Sequence, residues 1–204
     1  ASGGQTVRPE ADADEARLLS LDTLCIPAEG CITGSFAKAN QVLLSTNMLE
    51  RLQEAYAALL PSGEVPEFKV VSAGEGRYFY VNKEGERCDI RELWRCTDTN
   101  TFLRCSFYVA GARFFGRFES LITVTVMRLP SAPTEVLCYQ ADVRVWPHGA
   151  FVRVFLRHMP GVERYFRKKT AEMRRIFLAV FARLAGPEEG ACAPTVLFLD
   201  RPSG

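Results

Sequence analysis

Residues 101–129 read TFLRCSFYVAGARFFGRFESLITVTVMRL, and the spacing within this run decides the fold. Leu103, Cys105, Phe107 and Val109 alternate with Arg104 and Ser106, and Phe118, Ser120, Ile122, Val124 and Val126 alternate with Glu119, Thr123 and Thr125. Alternation at period two marks half-buried strands, since successive side chains of a strand point to opposite faces. Ala110-Gly111-Ala112 predicts a turn that divides the run into strands 101–110 and 113–129, and Gly116 inside the second predicts a bend or bulge.

The same reading extends in both directions. Strands are predicted at 67–73, 77–82, 86–96, 134–146 and 150–157, separated by Gly, Asn, Asp or Pro where the chain must reverse. Connections this short join antiparallel neighbours, because a parallel crossover needs a dozen or more residues. Alternation gathers Leu137, Tyr139, Ala141, Val143 and Val145 with the apolar set above, and places Phe114 and Gly116 there too. Arg104, Ser106, Arg113, Arg117, Glu119, Gln140, Asp142 and Arg144 fall on the other face, giving a sheet that is apolar on one side and polar on the other.

Helical spacing appears twice. Val42, Leu43, Met48, Leu49, Leu52, Tyr56, Leu59 and Leu60 predict a helix within Ala37–Leu60, with Thr46 as a candidate N-cap for its second half and Pro61-Ser62-Gly63 as its stop. A short strand is expected before it, from Gly30 to Phe36. Val162, Phe166, Met173, Phe177, Val180, Phe181 and Leu184 trace the stripe of a long helix over 162–184, roughly 36 Å at about 1.5 Å per residue. Thr195–Leu199 is a short apolar piece, an edge strand or a docking tail.

The 204 residues, 48% hydrophobic and 24% charged with a formal net charge of +1, exclude collagenous, disordered and globally basic nucleic-acid-binding classes. They suffice for one core, placed at 31–186, with an acidic, loosely held arm at 1–30 and a tail at 187–204. The arm carries Glu10, Asp12, Asp14, Glu15, Asp22 and Glu29 against Arg8 and Arg17. Seven cysteines form no C-x-x-C pair, and those inside apolar runs, such as Cys105, read as reduced core hydrophobes, which favours a reducing interior. The chain opens Ala1-Ser2-Gly3-Gly4 without Met, as expected of either a removed leader or a trimmed boundary.

This order of elements, an N-terminal strand and helix, an antiparallel meander and one long terminal helix, resembles the helix-grip fold of the START and Bet v 1-like superfamily. The fold class is therefore α+β, a curved antiparallel sheet of six to seven strands wrapped around a long C-terminal helix. A pleckstrin-homology-like barrel also ends in one helix, but its strands are shorter than 113–129. The resemblance implies a cavity between sheet and helix that takes a lipid or other apolar small molecule.

Candidate cavity-lining residues are Glu92, Trp94, Phe107, Phe118, Ser120, Tyr139, Met173 and Phe177. In strand 86–96, Cys88, Ile90, Glu92, Trp94 and Cys96 share a face, which puts a carboxylate among apolar neighbours. There Glu92 would anchor the polar end of a ligand or, with its pKa raised by an apolar setting, act as a general acid. If Leu93 faces inward instead, Glu92 is a surface charge paired with Arg104 or Arg117 across strands. A hydroxyl such as that of Ser120 is commonly satisfied by backbone, and the dense aromatics also make an ordinary core.

The clearest charge feature is Arg153, Arg157, Arg164, Arg167, Lys168, Lys169, Arg174, Arg175 and Arg183 against Glu163 and Glu172. With Arg164, Lys168 and Arg175 as its surface, it is either a contact for an anionic membrane or acidic protein face, or the solvated back of the helix, with the acidic arm folding onto it. Nucleic acid is not expected, because only Tyr165 would offer a stacking ring among these charges. His148 and His158 have no partner at ligand spacing, and no nucleophile, phosphate-loop or zinc motif occurs, so neither metal nor cofactor is expected. Three functions remain: non-catalytic binding of an apolar small molecule, an accessory or structural subunit without a ligand, and a cyclase- or dehydratase-type enzyme.

Overall fold

A computed structural model describes residues 12–62, 64–66, 68–98, 101–113, 115–129, 135–149, 160–185 and 196–197. Residues 102–129 form β5 (Phe102–Arg113) and β6 (Gly116–Leu129), paired antiparallel from Phe102↔Met127 to Arg113↔Gly116. The turn thus falls later than Ala110-Gly111-Ala112, and Gly111 belongs to β5. A Cβ on Gly111 would stand 2.4 Å from Cys88 Sγ, so this glycine serves close packing between strands. The bend expected at Gly116 is the turn itself, where φ of +104° suits a residue without Cβ.

The other strands are β1 (Leu24–Thr33), β2 (Phe68–Gly74), β3 (Arg77–Asn82), β4 (Arg87–Asp98), β7 (Val136–Pro147) and the two-residue β8 (Val196–Leu197). Their order across the sheet is β2-β3-β4-β5-β6-β7-β1-β8, with every pairing antiparallel. β8 is the edge strand anticipated within Thr195–Leu199. The expected strand at 150–157, along with Phe114 and the rest of the 187–204 tail, lies outside the described residues.

The concave face of this curved sheet carries the helices α2 (Phe36–Leu43), α3 (Met48–Ala57) and α4 (Pro160–Ala185). The single helix expected over Ala37–Leu60 is interrupted at Leu44–Asn47. Arg95 on β4 explains the break, since its guanidinium donates to the carbonyls of Leu43 at 2.5 Å and Ser45 at 3.0 Å, satisfying groups that a helix end leaves open. Tyr78 on β3 donates to the Thr46 carbonyl at 2.9 Å, and Asn47, not Thr46, occupies the N-cap position of α3.

Two cores form beneath α4. Near its C-terminal half, Phe177, Leu178 and Phe181 pack with Ile32, Phe36, Leu43, Leu103, Phe107, Val126 and Leu137. Near its N-terminal half, Tyr165 and Phe166 meet Ile26, Phe115, Phe118 and Val145. Phe115, Phe118, Tyr165 and Phe166 form a tilted and edge-to-face cluster with centroids 5.3 to 6.0 Å apart.

The convex face is less bare than the alternation suggested. Residues assigned to a loose arm form α1 (Ala13–Ser20) and most of β1, while residues 1–11 lie outside the described residues. Asp12 caps α1 by accepting from the Asp14 amide at 2.9 Å, and Leu18 is fully buried. Asp12, Asp14 and Glu15 meet the back of the sheet and not the basic helix. Asp12 and Asp14 bind Arg91 at 2.5 and 2.6 Å, and Glu15, itself buried, accepts from Trp94 Nε1 at 2.9 Å. Arg17 grips Glu119 through both nitrogens at 2.6 and 3.0 Å, and Tyr108 and His148 also bond that carboxylate. Ser106 and Glu119, expected in solvent, are buried as a result.

Two cysteines also depart from the reduced reading. Cys31 and Cys138, opposite each other on β1 and β7, form a disulfide across 107 residues of sequence. Cys25, Cys88, Cys96 and Cys105 are free thiols, and Cys105 is the buried hydrophobe expected. Strand register alone brings the bonded pair together, so their spacing in the chain carried no signal.

The α1 contacts make stability sensitive to acid. The bond from Arg91 holds the Asp12 carboxyl below its ordinary pKa. Burial pushes Glu119 upward, but the bonds from Arg17 and Tyr108 outweigh it and leave its pKa lowered. Carboxyls depressed on folding stabilise the native state above their unfolded pKa values and lose that contribution as pH falls through the folded ones. The urea midpoint should therefore fall between pH 7 and pH 3, most steeply below about pH 4. The Arg17→Gln/Arg91→Gln double variant should show a shallower fall, and an unchanged pH slope in that variant would contradict the assignment.

Candidate functional site

Between its two cores α4 stands off the sheet. The gap is a chamber of about 280 Å³, partly open to solvent, whose floor is Ala28 on β1, Val109 on β5, Ser120, Ile122 and Val124 on β6, and Tyr139, Ala141 and Val143 on β7. Its roof is Phe166, Lys169, Thr170, Met173, Arg174 and Phe177. The strand register explains the shape of the floor. Ala28 lies opposite Ala141, and Val124 opposite Ala141 from the other side, so small side chains occupy the middle rows where the helix passes overhead. Large rings sit at the two ends, where Phe118 meets Phe166 with centroids 5.7 Å apart and Tyr139 meets Phe177 at 5.4 Å.

Beside the chamber, toward β3 and β4, lies a wider vestibule of about 590 Å³. Val109, Phe118, Ile122, Phe166, Lys169 and Met173 border both spaces, and Tyr80, Asn82, Glu86, Cys88, Arg113, Tyr165 and Glu172 border the vestibule alone. The inner space exposes mainly hydrocarbon and aromatic carbon, although Lys169, Thr170 and Arg174 border it, whereas the outer one carries more charge and polar groups. Apolar walls with polar groups gathered at one end are the common arrangement of a small-molecule site.

Of the residues chosen from sequence, Phe118, Ser120, Tyr139, Met173 and Phe177 line the chamber. Ser120 Oγ donates to the Arg144 carbonyl at 2.8 Å, so backbone satisfies it. Tyr139 is held by Phe177 on one side and on the other by Gly30, where a Cβ would stand 2.7 Å from Cε1 of the ring. Burial raises the pKa of its hydroxyl, against the opposing charge of Arg174.

Glu92, Trp94 and Phe107 lie elsewhere. The register slips between Glu92 and Trp94, making Leu93 an extra residue in β4. Glu92 therefore faces inward opposite Phe107, and Trp94 turns to the convex face beneath α1. Glu92 binds Arg95 at 2.6 and 2.9 Å and thereby steadies the cation that ends α2. It does not touch the chamber and pairs with neither Arg104 nor Arg117. Phe107 is part of the core near α2. Arg113, assigned to the outer face, points into the vestibule because β5 continues past Gly111.

Arg164, Lys168 and Arg175 are exposed on the side of α4 away from the sheet. Tyr165 packs against Phe115 and Phe166. No cluster of three or more metal-ligating side chains forms among the described residues, and no helix among them is long and apolar enough to cross a membrane. Ala28, Lys169, Thr170 and Arg174 were not among the expected lining residues, and Lys169 and Arg174 were read only as members of the basic cluster. Lys169 and Thr170 lie one helical turn before Met173, Arg174 lies one turn after Thr170, and Ala28 shares a strand face with Ile26 and Gly30, so each was accessible once the chamber's position was known.

The described architecture is the helix-grip fold, as the order of elements implied. No family model matches the chain, and no curated protein matches it in sequence. A hypothetical protein of Helicobacter pylori is similar in structure, with a TM-score of 0.50 and 12% identity over 83% of this chain and 91% of the other. A truncated norcoclaurine synthase from Thalictrum flavum has a TM-score of 0.46 and 12% identity over 83% and 99% of the two chains. Ara h 8.0201, a Bet v 1-like protein, has a TM-score of 0.45 and 11% identity over 79% and 97%. At such identities the likeness concerns fold alone.

Gly30 tests the tight wall at Tyr139. Gly30→Ala should displace a ring that cannot retreat past Phe177 and lower stability by about 1–3 kcal/mol, measured by urea unfolding. A neutral result would show that the wall yields.

Proposed function

We propose that the protein binds a small apolar molecule in the chamber beneath α4, without chemical transformation. The observation that carries this reading is the chamber's construction, with aromatic contacts fixing the helix at both ends and small side chains on the floor between them. An apolar gap left empty forfeits dispersion contacts along its whole lining, and water gains little from entering where it finds few partners. An apolar guest restores those contacts. Glu92, the carboxylate that an enzymatic role would have used, is engaged by Arg95 away from the chamber.

The exposed Arg164, Lys168 and Arg175 support an anionic membrane surface as the place where such a guest is collected, since clustered cations near a surface of opposite charge add favourable energy that salt weakens. Cosedimentation with vesicles should then rise with the fraction of phosphatidylserine and fall with salt. Equal recovery with neutral vesicles would remove the membrane from the proposal.

Native mass spectrometry of the purified protein should show a non-covalent adduct that organic extraction releases. The uncharged fluorophore N-phenylnaphthylamine should bind, and Ala141→Phe, which fills the floor, should weaken it at least about tenfold while the circular dichroism spectrum is retained. Absence of both adduct and fluorophore binding would favour a structural subunit that uses the fold with no guest.

A further inference from the structure

The vestibule holds its charges at different depths, and the deepest is positive. The Arg113 side chain is 9% exposed, while Glu86, Glu172 and Lys169 around it are 42%, 31% and 43% exposed. Its guanidinium lies about 6.0 Å from the ring centroids of both Tyr80 and Phe118, and Phe118 is also a wall of the inner chamber. A cation therefore sits at the boundary between the apolar space and the polar one.

The groups around Arg113 leave this charge incompletely answered. Nη1 donates to the neutral carbonyl of Ala112 at 2.7 Å. Across from Nε, Glu86 Oε2 stands 3.4 Å away, and the same oxygen accepts from Asn82 Nδ2 at 2.8 Å. The Cys88 thiol and the Tyr165 hydroxyl adjoin the guanidinium, neither of them charged when protonated. Burial raises the pKa of both Cys88 and Tyr80, which keeps the thiol and the phenol protonated at neutral pH. Lys169 approaches from α4, near Tyr80 and Tyr165, with Glu172 as its ion-pair partner at 2.9 Å. The deep positions thus offer one guanidinium and protonated donors, and the carboxylates stand nearer the rim.

From this arrangement we infer that the guest is an anionic amphiphile, with its apolar body in the chamber and its anionic head against Arg113 and Lys169 at the inner end of the vestibule. The inference rests on the ligand-binding reading above and adds to it the charge and orientation of the guest. Arginine suits the role because its planar fork bonds two oxygens of a carboxylate or phosphate together, and a nearly buried fork loses little freedom in doing so. A head group placed there meets a guanidinium that is itself nearly buried, and a charge-assisted bond to such a group is stronger than one in open solvent.

Three probes with one tail and different heads separate the terms: decanoate, decanol and decyltrimethylammonium, each measured by displacement of N-phenylnaphthylamine. Decanoate should bind about tenfold more tightly than decanol, and the cation more weakly than either. In Arg113→Gln the decanoate and decanol constants should converge while decanol keeps its wild-type value, which also reports that the chamber is intact. Lys169→Gln, at a more exposed position, should lower the decanoate preference by a smaller factor.

Decanol or the cation binding as tightly as decanoate to the wild type would overturn the inference and leave the cavity reading in place. An undiminished decanoate preference in both variants would overturn the assignment to Arg113 and Lys169. Failure of the fluorophore and all three probes would remove the cavity reading, and this inference with it.

Discussion

A straight helix laid across a curved sheet cannot touch it evenly along its length. Contact requires side chains long enough to bridge the varying distance, and in this protein they are rings: Phe115, Phe118, Tyr165 and Phe166 at one end, Tyr139, Phe177 and Phe181 at the other. Between these ends the sheet offers Ala28, Ser120 and Ala141, too short to reach α4. The chamber follows from where large and small residues fall on the inward rows of β1, β6 and β7. The break between α2 and α3 has a similar cause, since Arg95 and Tyr78 on the sheet take up carbonyls that a continuous helix would have used itself.

The two faces of the sheet are held by different physics. The concave side depends on apolar burial and aromatic packing, which salt and pH leave largely unchanged. The convex side depends on α1, a helix of eight residues too short to be stable alone, so its order comes from Leu18 and from bonds to Arg91, Trp94 and Glu119. Its buried carboxylate Glu15 and the shared carboxylate Glu119 are each bonded by donors of the sheet or the helix, as buried charge requires. The N-terminal helix is consequently the part of the fold most exposed to acid, and the chamber the part least exposed.

Much of this was legible in the sequence because period two and period 3.6 are strong signals. They located the described strands of the meander within a few residues, the long terminal helix, the inward rows that carry Phe118, Ser120 and Tyr139, and the helix stripe that carries Met173 and Phe177. What was lost depended on events that periodicity does not encode. Leu93 is an ordinary apolar residue in an apolar strand, yet as the extra residue of a bulge it sends Trp94 to the opposite face from Glu92. Alternation can be counted only while the ladder is regular. The acidic segment looked like solvated chain because, apart from the Asp14–Arg17 pair, the partners of its charges are distant in sequence; Arg91 and Glu119 are supplied by β4 and β6.

Arg113 shows how one misplaced turn conceals a site. Gly111 between two alanines reads as a reversal, because glycine is the residue that turns prefer, and a strand restarted after it puts Arg113 outside. Glycine is also the residue that permits close approach, and the space a Cβ would fill at position 111 is occupied by Cys88 Sγ. With the strand continued to the true turn, residues 111 and 113 share the inward face and Phe118 pairs with Gly111. The guanidinium then arrives beside Phe118, a ring that borders both the apolar space and the vestibule. A cation that far inside is costly unless something answers its charge, and Glu86, shared with Asn82 and farther out, answers it only in part. The same close packing that hid Arg113 from a reading of the sequence is what carries its charge to the mouth of the chamber.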